Sequence, residues 1–375
     1  MKIVVMGGAG DMGSKAVEDL AAEKDVSLVT IADKNIARAR ELAAGLSGKG
    51  AEVVAALVSA DDHAGLVAAM RGHDLCASAL GPFHRFEEKL VAAALEAGVN
   101  YCSICDEWEP ADAVMAKFSD EARKKGLTIL IGLGASPGLT NVAARFLVNK
   151  LDRVRRLDIF IYQPLNAGGG PAVVRHMLHI MSGEIAAFKA GKRVMVKALS
   201  ETAETEFPTY GRIRMWNMGH SEPATLPRFI PGLEDVNFYM GFGPGAGLFV
   251  KPAQWGLFAK PGRAEKIAAA LSWLEAKTGG EPGRGAVRVD AYGEKGGKEE
   301  HHLICGTGQM REATGVCLAI GALMLGRGQL LIEEGGVFAP EAVIEPNLFL
   351  SHLKAKGITA YEDVAMTRPV NVPAA

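Results

Sequence analysis

The chain has 375 residues, 49% of them hydrophobic, and this size and composition predict a globular protein with two domains. Its 41 Lys and Arg residues nearly balance 43 Asp and Glu residues, and the basic residues are scattered rather than gathered into a stripe. We therefore expect a small-molecule substrate, with neither nucleic acid nor a membrane surface as partner.

The five cysteines are odd in number and unevenly spaced, which predicts reduced thiols and a cytoplasmic protein rather than a disulfide framework. No signal peptide is expected, because the first residues lead directly into a strand and a glycine turn. The most apolar later stretch, Val316–Leu325, is too short to span a bilayer and predicts a buried helix.

The first element is a short apolar strand over Lys2–Met6, followed by a glycine turn and a helix opening at Ser14. The turn consists of Gly8, Ala9, Gly10, Asp11, Met12 and Gly13. In this spacing the first glycine permits a tight turn, the second admits a pyrophosphate to the backbone, and the third lets the helix pack on the strand. The turn predicts a bound nicotinamide dinucleotide; the alternatives are a purely structural turn and a methyltransferase-type loop.

The second strand, Leu28–Ala32, ends at Asp33, about twenty residues beyond the glycine turn, where a carboxylate binds a ribose. Asp33 would also repel a 2′-phosphate, so we expect NAD as cofactor. Lys34 and Arg38 are near enough in sequence to offset that repulsion, and NADP stays possible. The alternative is a solvated aspartate at a strand end.

Strands and helices alternate up to about residue 134, with strands expected near 2–6, 28–32, 52–58, 74–80, 99–104 and 127–133. This alternation predicts an α/β fold, a Rossmann-type doubly wound parallel sheet, whose ligands bind at the carboxyl ends of the strands.

A glycine- and proline-rich turn, Gly132–Gly138, then predicts a hinge into a second domain. A helix is expected over Leu139–Leu151 and a half-buried strand over Arg156–Tyr162. Further strands are expected near 193–199, 211–217, 236–241 and 286–292, the last forming a hairpin with 301–305. These features predict a second α/β domain with a mixed sheet, and the chain is expected to be mostly helical from Met310 onward.

Two segments follow strands on the predicted binding edge. After the fourth strand come Leu80, Gly81, Pro82 and Phe83, which predict a contact with the nicotinamide or, alternatively, a rigid turn. Tyr101, Asp106 and Glu107 lie in or just after the fifth strand, and we expect a catalytic role for Tyr101 and a substrate contact for Glu107. Asp106 is a candidate base for amine oxidation and a contact for a cationic nitrogen. Alternatively, Asp106 and Glu107 cap a helix beginning near Pro110.

Cys102 and Cys105 form a CxxC, but positions three apart on a strand face opposite sides, so we expect no metal. His176 and His179 share a helix face that predicts a polar lining rather than a metal pair. Residues 219–228 read as a proline-shaped loop in which His220 could transfer protons and Arg228 could clamp a carboxylate. A plain surface loop is the alternative.

Five segments together resemble the saccharopine dehydrogenase-like family, which includes lysine 6-dehydrogenases, saccharopine reductases and carboxynorspermidine synthases. They are Gly8–Gly13, Leu80–Phe83, Ala97–Tyr101, Gly134–Asn141 and Gly335–Glu341. The resemblance implies an NAD(P)-dependent oxidoreductase acting on a carbon–nitrogen bond of an amino-acid-like substrate, and a homodimer formed through its middle domain.

The resemblance also implies a dinucleotide-binding domain over 1–136 plus about 308–375, and a substrate and dimerisation domain over about 137–307. The chain departs from the family where many relatives follow the tyrosine with x-Asp: here the acidic group is displaced to Asp106. This argues against lysine or saccharopine as the substrate. The alternative functions are a dehydrogenase of alcohols or aldehydes and a dinucleotide-binding sensor without catalysis.

Overall fold

The computed structural model describes residues 1–164, 170–243, 247–256 and 283–373. Its contacts divide the chain into two units: Met1–Leu139 with Arg311–Glu345, and Thr140–Met310 with Pro346–Ala375. Within these described ranges, each unit contains one β-sheet. Among the described residues, no helix combines the length and the apolar character needed to cross a membrane.

The sheet of the first unit has seven parallel strands. They are β1 (Lys2–Met6), β2 (Leu28–Asp33), β3 (Glu52–Leu57), β4 (Leu75–Ser78), β5 (Asn100–Ser103), β6 (Thr128–Ile131) and β15 (Gly336–Phe338). Their order is β3-β2-β1-β4-β5-β6-β15, with every neighbouring pair parallel. The predicted doubly wound sheet is confirmed. Its strand order reverses between β1 and β4, which places the ligand crevice of such folds there.

The helices of this unit are α1 (Asp11–Ala21), α2 (Ile36–Leu46), α3 (His63–Met70), α4 (Phe83–Ala97), α5 (Trp108–Lys125), α10 (Met310–Gly326) and α11 (Pro340–Val343). Helix α1 begins three residues before the expected Ser14, because Gly10 is its N-cap and the second half of the glycine turn is already helical. Residues 314–325 of α10 are buried, as predicted for its apolar stretch.

The sheet of the second unit is mixed, as predicted. Its strands are β7 (Arg153–Tyr162), β8 (Glu184–Lys189), β9 (Lys192–Lys197), β10 (Thr202–Phe207), β11 (Gly211–Asn217), β12 (Asp235–Gly241), β13 (Gly285–Lys295) and β14 (Lys298–Gly308). The order is β10-β11-β12-β7-β13-β14, with β8 on β12 and β9 on β8. Only the β12–β7 pair is parallel among these described pairings. The expected hairpin is β13–β14.

Among the described residues of the second unit, the helices are α6 (Leu139–Val148), α7 (Gly170–Ile180), α8 (Glu222–Phe229), α9 (Gly247–Gln254) and α12 (Pro346–Ala355). The prediction of a loop over residues 219–228 is wrong, because α8 occupies most of that segment. Pro223 lies in the first turn of α8, where its missing N–H needs no partner and its fixed φ suits a helix. The proline that suggested a loop therefore starts a helix.

The C-terminal segment is shared by the two units. Arg311–Glu345 groups with the first unit, where β15 pairs with β6. The resemblance implies a dinucleotide-binding domain that includes about 308–375, and this boundary stays a prediction. In the structure, Pro346–Ala375 groups with the second unit. The cause is backbone pairing: the amides and carbonyls of Cys305 and Tyr361 exchange two hydrogen bonds of 2.8 and 2.9 Å.

Candidate active site

The glycine turn between β1 and α1 has no room for side chains at its key positions. A Cβ at Gly13 would lie 2.3 Å from the carbonyl oxygen of Gly7, and one at Gly8 would lie 2.9 Å from that of Val5. The N-cap Gly10 offers no side-chain cap to α1, and the first amides of a helix attract anions. The turn therefore fits a pyrophosphate.

Asp33 lies beside this turn, at the carboxyl end of β2. Its Oδ2 accepts a hydrogen bond from the amide of Ala9 at 3.1 Å, and its Oδ1 accepts one from the amide of Asn35 at 2.8 Å. The carboxylate is thus held where the ribose next to a bound pyrophosphate is expected. The role of Asp33 stays a prediction, with a geometry that suits it.

The segment Leu80–Phe83 lies at the point where the strand order reverses. A Cβ at Gly7 would meet the carbonyl group of Ala79 at 3.0 Å, so the turn after β4 backs directly onto the glycine turn. Pro82 is the N-cap of α4 and follows a cis peptide bond, and Phe83 is buried. The nicotinamide contact of this segment stays a prediction.

Glu107 caps a helix, but not the helix that the sequence indicated. It is the N-cap residue of α5, yet its side chain makes no capping bond there. Its buried carboxylate instead accepts hydrogen bonds from the amide and from Nδ1 of His84, both at 2.6 Å, in the first turn of α4. A carboxylate at this position satisfies an open amide and complements the helix dipole. Glu107 therefore fixes the turn after β5 to α4, and its predicted substrate contact stays a prediction.

Tyr101 points into the interior rather than towards the strand ends. Its side chain is fully buried in β5, and its hydroxyl donates to Glu87 Oε2 at 3.0 Å. Ser103 Oγ donates to the other oxygen of the same carboxylate. This geometry suits a positioning role, and the catalytic role predicted for Tyr101 stays a prediction.

Glu87 is a buried acid that sequence reasoning missed. Burial raises its pKa to about 7, the charges of Glu107 and Asp106 add to the rise, and the bonds from Ser103 and Tyr101 oppose it. The sequence did contain a signal for this buried acid. Glu87 lies four residues after Phe83 on the buried face of α4, where an apolar residue is expected.

The two cysteines of the CxxC are fully buried and form no disulfide. Burial raises the pKa of both Cys102 and Cys105, that of Cys105 well above its usual value. Both groups are therefore neutral thiols at neutral pH, whereas nucleophiles and metal ligands are thiolates. Asp106, which follows Cys105 and is half-buried, is therefore the candidate base of this segment.

The second unit contains a buried polar cluster joining α6 to α8. Glu222 Oε1 accepts a hydrogen bond from Thr140 Oγ1 at 2.9 Å, and Asn141 Nδ2 donates to Thr225 Oγ1 at 3.4 Å. All four side chains are buried. Thr140 and Asn141 end the conspicuous segment Gly134–Asn141, so that segment supplies polar partners to α8.

His220 is held by this cluster. Its Nδ1 contacts Oε2 of Glu222, its ring stacks on Phe238 with centroids 4.1 Å apart, and His176 approaches edge-on at 6.3 Å. Because Nδ1 is engaged with the carboxylate, Nε2 is the nitrogen that remains for proton exchange. The structure thus brings His220 and Glu222 together.

Arg228 is not brought to the same place as His220. It lies in the last turn of α8 and is exposed, whereas His220 precedes the helix and is only 2% exposed. Most of the length of α8 therefore lies between His220 and Arg228. The carboxylate clamp predicted for Arg228 stays a prediction.

Comparison with known proteins agrees with this architecture. Residues 3–130 match the family described as the saccharopine dehydrogenase NADP binding domain. The chain is 27% identical over 262 residues to a carboxynorspermidine synthase of Vibrio cholerae, covering 63% of this chain and 62% of that protein. It is 26% identical to a carboxyaminopropylagmatine dehydrogenase of Synechocystis, covering 97% of this chain and 98% of that protein.

The fold is also that of a solved structure, the saccharopine dehydrogenase (L-Glu forming) of Saccharomyces cerevisiae. The two chains superpose with a TM-score of 0.70 at 15% identity, covering 95% of this chain and 98% of the other. The resemblance predicted from the sequence motifs is thereby confirmed.

Proposed function

Because residues 3–130 match the family described as the saccharopine dehydrogenase NADP binding domain, we propose that this chain is an NAD(P)-dependent oxidoreductase acting on a carbon–nitrogen bond of an amine-containing substrate. The observation that carries the proposal is the glycine turn, where position 13 leaves no space for a Cβ and Asp33 lies against the amide of Ala9. A bound nicotinamide dinucleotide would accept or supply the hydride.

Separate parts of the first unit would hold the cofactor. The amides of Asp11, Met12 and Gly13, at the N-terminus of α1, would bind the pyrophosphate. Asp33 would accept hydrogen bonds from the adenosine ribose, and Leu80–Phe83 would lie against the nicotinamide end. NAD is the preferred dinucleotide in this proposal, because Asp33 repels a 2′-phosphate.

The substrate class follows from the relatives. Both curated relatives carry names that join a carboxyl group to an aminopropyl compound or a polyamine, and we assign a carboxylated secondary amine of that kind, or its imine, to this chain. Such a molecule needs a cation to bind its carboxylate and a carboxylate to bind its amine nitrogen. Asp106 of the first unit is the proposed partner of the amine nitrogen. For the carboxylate, Arg228 of the second unit is a separate candidate.

The reaction requires a group that takes up a proton. In the oxidative direction the protonated amine loses a proton, hydride then leaves the carbon, and a carbon–nitrogen double bond forms; reduction runs the same steps backwards. We assign proton transfer to Nε2 of His220, with Glu222 orienting the ring through Nδ1 and Thr140 fixing the carboxylate. Asp106 is the candidate base of the first unit.

The family resemblance also supports a homodimer formed through the second unit, and the free cysteines support a cytoplasmic location. Light scattering on a size-exclusion column measures the mass directly. Twice the mass of the chain is expected, and the mass of a single chain would exclude the dimer.

One panel of substrates tests the proposed activity. Oxidation of NADH or NADPH by the purified protein is followed with carboxylated imines formed from an amine and a carbonyl compound, next to aldehydes and ketones alone. Turnover that needs both the amine and the carbonyl compound supports the proposal. Turnover of aldehydes alone would identify an alcohol or aldehyde dehydrogenase instead, and tight dinucleotide binding without any turnover would identify a sensor.

A further inference from the structure

A pair of opposite charges connects the starts of two helices beside the glycine turn. Asp11 is the first residue of α1 and Arg38 lies in the first turn of α2. Arg38 Nη2 donates to Asp11 Oδ1 at 2.9 Å, and the two side chains are 51% and 40% exposed. The guanidinium is therefore held beside the first residue of α1, while both side chains of the pair stay exposed to solvent.

This pair lies next to Asp33, where the ribose of a dinucleotide is expected. Asp33 bonds the amides of Ala9 and Asn35, and Oδ1 of Asn35 accepts a hydrogen bond from the amide of Arg38 at 3.2 Å. Asp33 thus offers a carboxylate and Arg38 a guanidinium, and Asn35 links the two residues through its hydrogen bonds. A ribose diol suits the first, and a 2′-phosphate suits only the second.

We propose that the Asp11–Arg38 ion pair sets the choice between NAD and NADP, a proposal that rests on the proposed function. While Asp11 holds Arg38, the positive charge of Arg38 offsets the negative charge of Asp33 only in part. The ribose diol of NAD is then favoured over the 2′-phosphate of NADP. An exposed ion pair is weak, so a phosphate dianion can still draw Arg38 away from Asp11 and NADP binds less tightly. Asp11 therefore determines specificity without reading the 2′ position itself.

Calorimetry with NAD, NADP, 5′-AMP and adenosine 2′,5′-bisphosphate tests this without any turnover. We expect Asp11→Asn to raise the ratio of NADP to NAD affinity about fivefold, the change that one exposed ion pair carries. Arg38→Ala lowers the same ratio. In the Asp11→Asn and Arg38→Ala double variant, the gain from Asp11→Asn disappears.

The matched control is Arg40→Ala, which removes one positive charge from the same helix at an exposed position about 200° around its axis. It should leave the ratio within twofold of the wild type. If Asp11→Asn still binds NAD but leaves the ratio of NADP to NAD affinity unchanged, this proposal alone is overturned. It is also overturned if the rise in that ratio persists in the double variant that lacks Arg38. A wild-type protein that binds neither dinucleotide overturns the proposed function together with it.

Discussion

Replacing Glu87 by Gln should remove a large part of the pH dependence of folding stability. Burial raises the pKa of this carboxyl from 4.5 to about 7 in the folded protein. In the unfolded chain it titrates near its ordinary value, so between these two pH values the folded state keeps a proton that the unfolded state has lost. Stability therefore falls as the pH rises through that interval.

The size of the effect follows from the two pKa values. At about 1.4 kcal/mol for each pKa unit, the rise from 4.5 to about 7 amounts to a loss of about 3 kcal/mol of folding free energy by pH 8. Glu87→Gln keeps the shape of the protonated acid, and the hydroxyls of Tyr101 and Ser103 can turn to accept from the new amide. Relative to the wild type, the free energy of unfolding of the variant should rise by about this amount between pH 4 and pH 8.

Urea unfolding at several pH values measures the difference. Glu88→Gln is the matched control, because Glu88 is the next residue of α4 but is exposed and paired with Lys117. The plot of unfolding free energy against pH for Glu88→Gln should run parallel to that of the wild type. If the Glu87→Gln curve also runs parallel to it, Glu87 is charged in the folded protein throughout and the reasoning from its burial is refuted.

Three further substitutions test the candidate site. Gly13→Ala should weaken the binding of NAD and NADP about fivefold or more in calorimetry, because its Cβ would meet backbone at 2.3 Å, an overpacking that costs about 1–3 kcal/mol. Gly45→Ala, with open space around its Cβ, should leave the binding unchanged. His220→Ala should lower kcat about a hundredfold or more, and Glu222→Gln should move the pH profile of kcat; an unmoved profile in Glu222→Gln would contradict the pair. Asp106→Asn should lower kcat at least tenfold with the affinity for NAD unchanged, and full activity would remove Asp106 from the mechanism.

Local patterns were enough to predict six of the seven strands of the first sheet, all except β15. The apolar run of β1, the glycine turn and Asp33 are each read within a few residues of sequence, and the alternation of strands and helices leaves few possible connections. The position of Asp33 beside the turn also follows, since neighbouring parallel strands end at the same edge. These predictions depend on short sequence separations and on backbone rules.

The features that the sequence did not reveal depend mostly on contacts between distant residues. Nothing near Glu107 in sequence indicates that its carboxylate caps α4 through His84, and nothing near Tyr101 indicates an acid on that helix. The segment at α8 was misread because Pro223 is typical of loops as well as of first helical turns. Strands such as β10, whose sequence is TAETEF, were missed because their residues carry little apolar alternation.

A crystal structure of the chain grown with NAD or NADP tests the central claim most directly. We expect the diphosphate against the amides of Asp11, Met12 and Gly13, the ribose on Asp33 and the nicotinamide near Leu80–Phe83. A dinucleotide bound elsewhere on the chain, or none at saturating concentration, would contradict the assignment of this protein as a nicotinamide-dependent oxidoreductase.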